Sequence, residues 1–191
     1  RIYHISLILE IFYFAMVAYT PIYLRNLGME WDSIGIIFSI MLIPFVALEY
    51  PAGLVADRWL GEKELLVVAI IILGVSTNAI SLTRSTQVIT WAGLLLITRV
   101  GAALIEILRD SYFYKRIDGQ EIEIINFFRT ARPVGFLVGA FITYIWLTVF
   151  SLSSVFSVLA IIIFTAIISA AFLQDNRSEK ELKSQPSSSQ G

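Results

Sequence analysis

The chain has 191 residues, of which 57% are hydrophobic and only 15% are charged. A soluble domain carries about 25% charged residues, since polar groups must cover its surface, so this composition predicts a membrane protein. The formal net charge of −1 gives no support for nucleic-acid binding, and the lack of cysteine excludes disulfides, thiolate catalysis and cysteine-based zinc or iron–sulfur sites.

Six apolar stretches are long enough to cross a bilayer as helices. A transmembrane helix needs about 20 mostly apolar residues, because the hydrocarbon core is roughly 30 Å thick and a helix rises about 1.5 Å per residue. We number the predicted spans in chain order: span 1 (5–24), span 2 (33–56), span 3 (65–82), span 4 (88–108), span 5 (130–150) and span 6 (152–173). The sequence therefore predicts an all-α membrane protein with a bundle of six transmembrane helices.

The segments outside the spans are mostly short turns. The exception is the segment 110–128, which is predicted to be a longer linker between spans 4 and 5. After residue 173 the sequence becomes charged and then rich in Ser and Gln. Because no apolar period is found there, residues 174–191 are predicted to form a disordered cytoplasmic tail, and residues 1–173 the transmembrane domain.

Basic residues are distributed unevenly between the two ends of the spans. Only Arg25 and Arg84 lie on one side, whereas eleven basic residues lie on the side that holds both termini. These eleven are Arg1, Arg58, Lys63, Arg109, Lys115, Arg116, Arg129, Arg132, Arg177, Lys180 and Lys183. Since Lys and Arg accumulate in cytoplasmic loops, both termini are predicted to be cytoplasmic, in a cell or cytoplasmic membrane.

Four ionisable residues lie inside the predicted spans: Glu10 in span 1, Glu49 in span 2, and Arg99 and Glu106 in span 4. A charge at the centre of a bilayer costs about 2.5–3.5 kcal/mol on insertion scales, so it must face a partner or a water-filled cavity. Arg99 lies roughly 16 Å into span 4, near the midplane, and Glu106 follows two turns later on the same face. Glu10, Arg99 and Glu106 are therefore predicted to line a pathway for a substrate or a coupling ion.

This charge distribution also predicts which helices face the interior and which face lipid. Spans 1, 2 and 4 are predicted to face a polar interior, and spans 3 and 6 to face lipid. Two other interpretations stay open for the charges: Arg99 and Glu106 form a structural ion pair, and Glu10 and Glu49 extend toward the inner interface. The role of Glu49 is left undecided.

The end of span 2 and the loop after it, residues 53–63, contain a recognisable pattern of glycine and charged residues. It resembles the cytoplasmic loop signature of the major facilitator superfamily, G-x-x-x-D-R-x-G-R-[RK], with one residue inserted and Glu62 in place of a usual basic residue. The residues that match are Gly53, Asp57, Arg58, Gly61 and Lys63. The resemblance implies that this loop gates the protein, whereas the plain alternative is a basic cytoplasmic turn.

Two further segments are similar to the same family. Span 4 resembles the arginine-bearing fourth helix of the superfamily, with Arg99 at the matching position. Span 5 opens with Arg132-Pro133-Val134-Gly135, with Gly139 one turn later, and similar helices in the family pack closely against the opposite half. The resemblance implies half of a twelve-helix facilitator fold, built of 3+3 inverted repeats that pair spans 1 and 4, 2 and 5, and 3 and 6. The polar tail favours the C-terminal half.

The resemblance implies secondary active transport of a small solute by alternating access, with proton-coupled symport left open. The implied partners are membrane lipid, the small-molecule substrate and the other six-helix half of the same parent chain. No cofactor, metal or nucleic acid is expected. An intramembrane enzyme is not expected, because serine proteases need a Ser/His pair, metalloproteases need His/Glu clusters, and His4 is the sole histidine. The alternatives are a non-transporting scaffold or receptor, and a half-size transporter that acts as a homodimer.

Overall fold

A computed structural model of the chain describes residues 1–48, 62–116 and 122–173. Its helices are α1 (Ile2–Asn26), α2 (Trp31–Met41), α3 (Glu62–Leu82), α4 (Val88–Tyr114), α5 (Ile122–Arg129), α6 (Ala131–Leu147) and α7 (Leu152–Ala171). Within this part of the chain, six helical segments are long and apolar enough to cross a membrane. Span 2 is α2 with its continuation to Leu48, the predicted span 5 is α6, with α5 preceding it in the predicted linker, and the other spans are single helices. The predicted all-helical, six-span fold is confirmed.

The helices pack in a pattern that repeats within the bundle. In one set of contacts α1 packs on α6 and on α7; in the other, α4 packs on α2 and on α3. The remaining large contact joins α3 to α7. Exchanging spans 1 with 4, 2 with 5 and 3 with 6 converts this set of contacts into itself, which is the arrangement expected of two inverted three-helix repeats.

Two prolines accompany helix breaks, one within span 2 and one at the start of span 5. Proline has no N–H to donate to the carbonyl four residues earlier, so a helix weakens at that point. Pro44 leaves the carbonyl of Ile40 without this bond, and α2 ends at Met41 before the helix resumes at residue 43. Pro133 has the same relation to Arg129, where α5 ends. The prediction of one continuous helix over 33–56 is therefore wrong at this break, and residues 49–56 lie outside the described residues.

The predicted linker between spans 4 and 5 is largely helical. Helix α4 continues to Tyr114, and α5 begins at Ile122. Tyr112 and Phe113 are each only 6% exposed, because their rings continue the packed face of α4. The polar residues around them give this segment a low hydropathy, which is why the sequence predicted a linker there.

A close helix crossing joins α4 to α3 at Gly101. A Cβ atom at this position would lie 2.8 Å from the backbone nitrogen of Leu73 and 3.1 Å from the carbonyl oxygen of Ala69. Both atoms belong to the helical backbone of α3, so they cannot rotate away as a side chain would. Glycine at position 101 therefore fixes the distance between the two helices.

Substituting Gly101→Ala is expected to lower the free energy of unfolding by about 1–3 kcal/mol, because the added methyl overpacks the crossing. Unfolding of the purified protein in detergent, followed by circular dichroism against temperature, measures the effect. The matched control is Gly93→Ala on the same helix, where a Cβ would meet no atom within 4 Å. This control should be neutral or stabilising by about 0.5–1 kcal/mol. Equal losses in the two variants would contradict the crossing.

Candidate functional site

Arg99 lies on α4 with its side chain buried against three aromatic rings. Its guanidinium carbon is 5.8 Å from the ring centroid of Phe12, 5.5 Å from that of Tyr13 and 5.9 Å from that of Phe45. The residue is only 4% exposed. The faces of aromatic rings carry partial negative charge, and each cation–π contact can contribute about 2 kcal/mol when desolvated. We call Arg99 with Phe12, Tyr13 and Phe45 the Arg99 cage.

The cage brings together the three spans that carry the predicted intramembrane charges. Phe12 and Tyr13 come from α1, Phe45 comes from the continuation of α2, and Arg99 comes from α4. The residues around Arg99 therefore come from spans 1, 2 and 4, whereas a polar interior lined by these spans stays a prediction. The aromatic partners were not predicted, since aromatic residues in an apolar helix are more often simple core residues.

The guanidinium of Arg99 has no conventional acceptor in the described part of the chain. No carboxylate of a described residue lies within the 4 Å limit of a salt bridge to it. Its Nε atom is fully buried and makes no hydrogen bond to the described residues. Ring faces attract a cation but offer no lone pair in the manner of a carboxylate oxygen. The charge is therefore only partly compensated, which is unusual for so deeply buried an arginine.

Tyr13 connects Arg99 to Glu106. Its hydroxyl donates a hydrogen bond of 2.7 Å to Oε2 of Glu106, while its ring faces Arg99. Glu106 is half-buried and lies two turns after Arg99 on α4, as predicted. The alternative of a direct ion pair between Arg99 and Glu106 is not found among the described residues, where Tyr13 stands between the two charges.

Glu10 belongs to a second polar cluster, with Arg109. The two side chains form an ion pair of 3.5 Å and are 10% and 8% exposed. Arg109 also donates from Nε to Oδ1 of Asp110 at 2.9 Å, and its guanidinium lies 5.6 Å from the ring centroid of Phe128. The sequence placed Arg109 at the cytoplasmic end of span 4 and missed this role. Arg109 lies three residues after Glu106, so both residues lie on one face of the helix. This spacing was the signal from which the role of Arg109 could have been predicted.

The small residues of span 5 pack inside this bundle. A Cβ at Gly135 would lie 2.5 Å from Cβ of Glu10, and one at Gly139 would lie 3.0 Å from a ring carbon of Phe14. Both neighbours are on α1 of the same chain. These two glycines allow α6 to approach α1 where Glu10 is buried. The packing of span 5 against an opposite half stays a prediction.

Most of the predicted gating loop lies outside the part of the chain that the structure describes. Glu49 and four of the loop residues, Gly53, Asp57, Arg58 and Gly61, lie outside the described residues. Lys63 is half-buried in the first turn of α3. The gating role of this loop and the role of Glu49 stay predictions.

Comparisons with known proteins agree with the fold. Residues 5–190 match the family profile described as Major Facilitator Superfamily. The structure is similar to the crystal structure of a mutant of the nucleoside transporter NupG, with a TM-score of 0.81 and 19% sequence identity. The similarity covers 98% of this chain and 46% of the NupG chain, so the chain spans about half the length of that transporter. No curated protein sequence matches the chain.

The structural similarity, at 19% identity, supports the fold alone, whereas the family match covers most of the sequence. Six long apolar helices and the family match describe an integral, multi-pass membrane protein and point to transport rather than to an enzyme. The chain belongs to the major facilitator superfamily.

Proposed function

We propose that this chain forms one six-helix half of a secondary transporter that moves a small solute by alternating access. The observation that carries the proposal is the polar group of Arg99, Tyr13 and Glu106, formed by α1 and α4 inside an apolar bundle. Ionisable residues at membrane depth are costly and commonly mark a substrate or ion pathway. Arg99 and Glu106 therefore line the pathway, and Tyr13 links them.

The Glu10–Arg109 pair is proposed to control the inner end of this pathway. It ties α1 to α4 next to the place where α6 crosses α1 at Gly135. A change from the outward-open to the inward-open form requires these helices to move with respect to the rest of the protein. A buried ion pair between them makes α1 and α4 move together.

The other half of the parent chain is proposed to cover α2 and α6. In the described part of the chain, spans 2 and 5 are the least buried. Of the most hydrophobic 18 residues of each, 22% are buried inside the bundle, against 39–56% in the other spans. Their exposed side chains are large and apolar, including Ile36, Val46, Leu137 and Phe141. The exposed side chains of α3 and α7, such as Val75 and Ile161, are proposed to face lipid.

The proposed orientation places both termini in the cytoplasm. Arg1, Tyr112, Arg116 and Leu173 line one hollow, so the start of α1 and the ends of α4 and α7 lie at the same end of the bundle. This end is rich in arginine, as the positive-inside rule requires of the cytoplasmic side. The loop with Asp57 and Arg58 would then gate from the cytoplasm.

Uptake into proteoliposomes tests the proposed function. The full transporter is purified and reconstituted, and radiolabelled solutes are offered with and without a pH gradient. The set includes sugars, amino acids, organic acids and, because NupG is a nucleoside transporter, nucleosides. We expect saturable uptake of one class and counterflow when the vesicles are preloaded with that solute. A protein without uptake or counterflow for any class would be a scaffold or receptor instead.

Removing the Tyr13 hydroxyl is expected to impair transport. Tyr13→Phe retains the ring beside Arg99 but deprives Glu106 of its donor, and a hydrogen bond to a charged group contributes about 1.5–3 kcal/mol. We expect the initial rate of uptake to fall roughly 10- to 100-fold. The matched control is Tyr19→Phe on the same helix, which removes only a neutral hydrogen bond from Thr143 of 3.1 Å. Equal uptake by the two variants would contradict the role of Tyr13.

A further inference from the structure

The carboxylates near Arg99 are already engaged by other groups. In the described residues Glu10 and Asp110 are both paired with Arg109, and Glu106 accepts the hydroxyl of Tyr13. Arg109 therefore has two carboxylate partners, while no carboxylate of a described residue lies within salt-bridge distance of Arg99. The contrast lies on one helix, between two arginines that are 7% and 4% exposed.

The cage leaves the Nε–H of Arg99 buried and without a hydrogen bond to the described residues. A guanidinium has five N–H donors in a rigid plane that matches the oxygens of a carboxylate or phosphate. Phe12, Tyr13 and Phe45 offer ring faces, which stabilise the positive charge without accepting these hydrogen bonds. A buried polar group without a partner is costly, so an acceptor supplied from outside the chain would gain the full strength of a charge-assisted bond.

The geometry of the Arg99 cage points to a substrate that carries an anionic oxygen group, a carboxylate or a phosphate, which pairs with the guanidinium of Arg99. This inference rests on the proposed transport function and specifies the chemical class of the solute. A lipid headgroup is not the expected source of the anion, since Arg99 lies roughly 16 Å into its span, far from the interface where headgroups lie. The aromatic rings that surround the cation would pack against the carbon part of the same solute.

Thermal stabilisation of the purified full transporter tests this inference with defined probes. Benzoate, succinate, inorganic phosphate and glycerol 3-phosphate are compared with the neutral molecules benzamide, succinamide and glycerol at constant ionic strength. We expect at least one anion to raise the melting temperature in a saturable manner, and its neutral counterpart to have no effect. Stabilisation by none of the anions, or equal stabilisation by the neutral counterpart, would overturn the inference.

Substitution at position 99 separates binding at the cage from binding elsewhere. Arg99→Gln should weaken the apparent affinity for the stabilising anion roughly 10- to 100-fold, the loss expected for a charge-assisted hydrogen bond. The control Arg25→Gln removes an exposed arginine that pairs with Glu30 and should bind as the parent protein does. If Arg99→Gln does not fold, Arg99→Lys retains the charge without the planar donors, and a reduced affinity is again expected. Unchanged affinity in the folded variant would overturn the assignment.

A wrong substrate class can be distinguished from failure of the proposed transport function. If proteoliposomes take up a neutral solute while anions neither bind nor compete, transport stands and the anionic substrate class is wrong. If neither uptake nor counterflow occurs for any solute, the proposed function itself fails, whatever anion binds to the cage.

Discussion

Arg99→Gln is expected to lower solute uptake severely while leaving the helical fold intact. The substitution removes the charge that three aromatic rings surround, and with it the planar donors proposed to hold the solute. Loss of a charge-assisted hydrogen bond alone corresponds to a decrease of roughly 10- to 100-fold in transport at low solute concentration. The ring of Tyr13, whose hydroxyl donates to Glu106, also loses the cation it faces. The measurement is the initial rate of uptake into proteoliposomes.

The fold of this variant must be shown separately, by circular dichroism and by a single symmetrical peak in size-exclusion chromatography. Arg25→Gln serves as the transport control, because Arg25 lies after the last apolar turn of α1 in an exposed pair with Glu30. We expect this control to transport as the parent protein does. Uptake by a folded Arg99→Gln protein at the parent rate would remove Arg99 from the pathway.

Arg109→Ala is expected to lower the free energy of unfolding by about 3–5 kcal/mol. Glu10 and Arg109 are both at least nine-tenths buried, and removing one member of a buried pair leaves an uncompensated charge. The substitution also leaves Asp110 and the ring of Phe128 without the guanidinium that contacts them. Thermal or denaturant unfolding in detergent, followed by circular dichroism, measures this loss.

A double variant distinguishes a broken pair from lost packing. Replacing both residues with methionine (Glu10→Met with Arg109→Met) removes both charges and retains much of the volume. Exchange of a buried ion pair for apolar residues is often neutral or stabilising, so the double variant should be considerably more stable than Arg109→Ala. A double variant as unstable as the single one would show that the charges of the pair are not the cause.

The fold could be predicted from the sequence because the bilayer imposes a simple length rule. Each span needs enough apolar residues to cross the hydrocarbon core, and this pattern identified all six. The rule fails where packing rather than hydropathy decides the structure. Tyr112 and Phe113 extend α4 beyond its predicted end because they are buried among other side chains. Pro44 interrupts span 2, which mean hydropathy treats as continuous.

The candidate site was predictable only in part. The costs of intramembrane charge singled out Glu10, Arg99 and Glu106, and two of these, Arg99 and Glu106, are joined through Tyr13. The sequence could not show which groups pair, since helix contacts decide that. In the sequence, Arg109 looks like an ordinary basic residue at the cytoplasmic end of a span. Only the packing of α1 on α4 shows that Glu10 lies beside it.

Accessibility of single cysteines to a membrane-impermeant thiol reagent tests alternating access most directly. The 191-residue sequence contains no cysteine, so single substitutions can be made in it once any cysteine of the other half has been replaced. Val17→Cys on α1 and Ile97→Cys on α4 probe exposed positions on the two helices that form the pathway, and Val75→Cys on α3 probes the proposed lipid face. We predict that positions 17 and 97 react from both sides of the membrane, and that transported solute changes the ratio of the two reaction rates. Position 75 is predicted to react from neither side. Reaction from one side only, with no effect of solute, would contradict the alternating-access account.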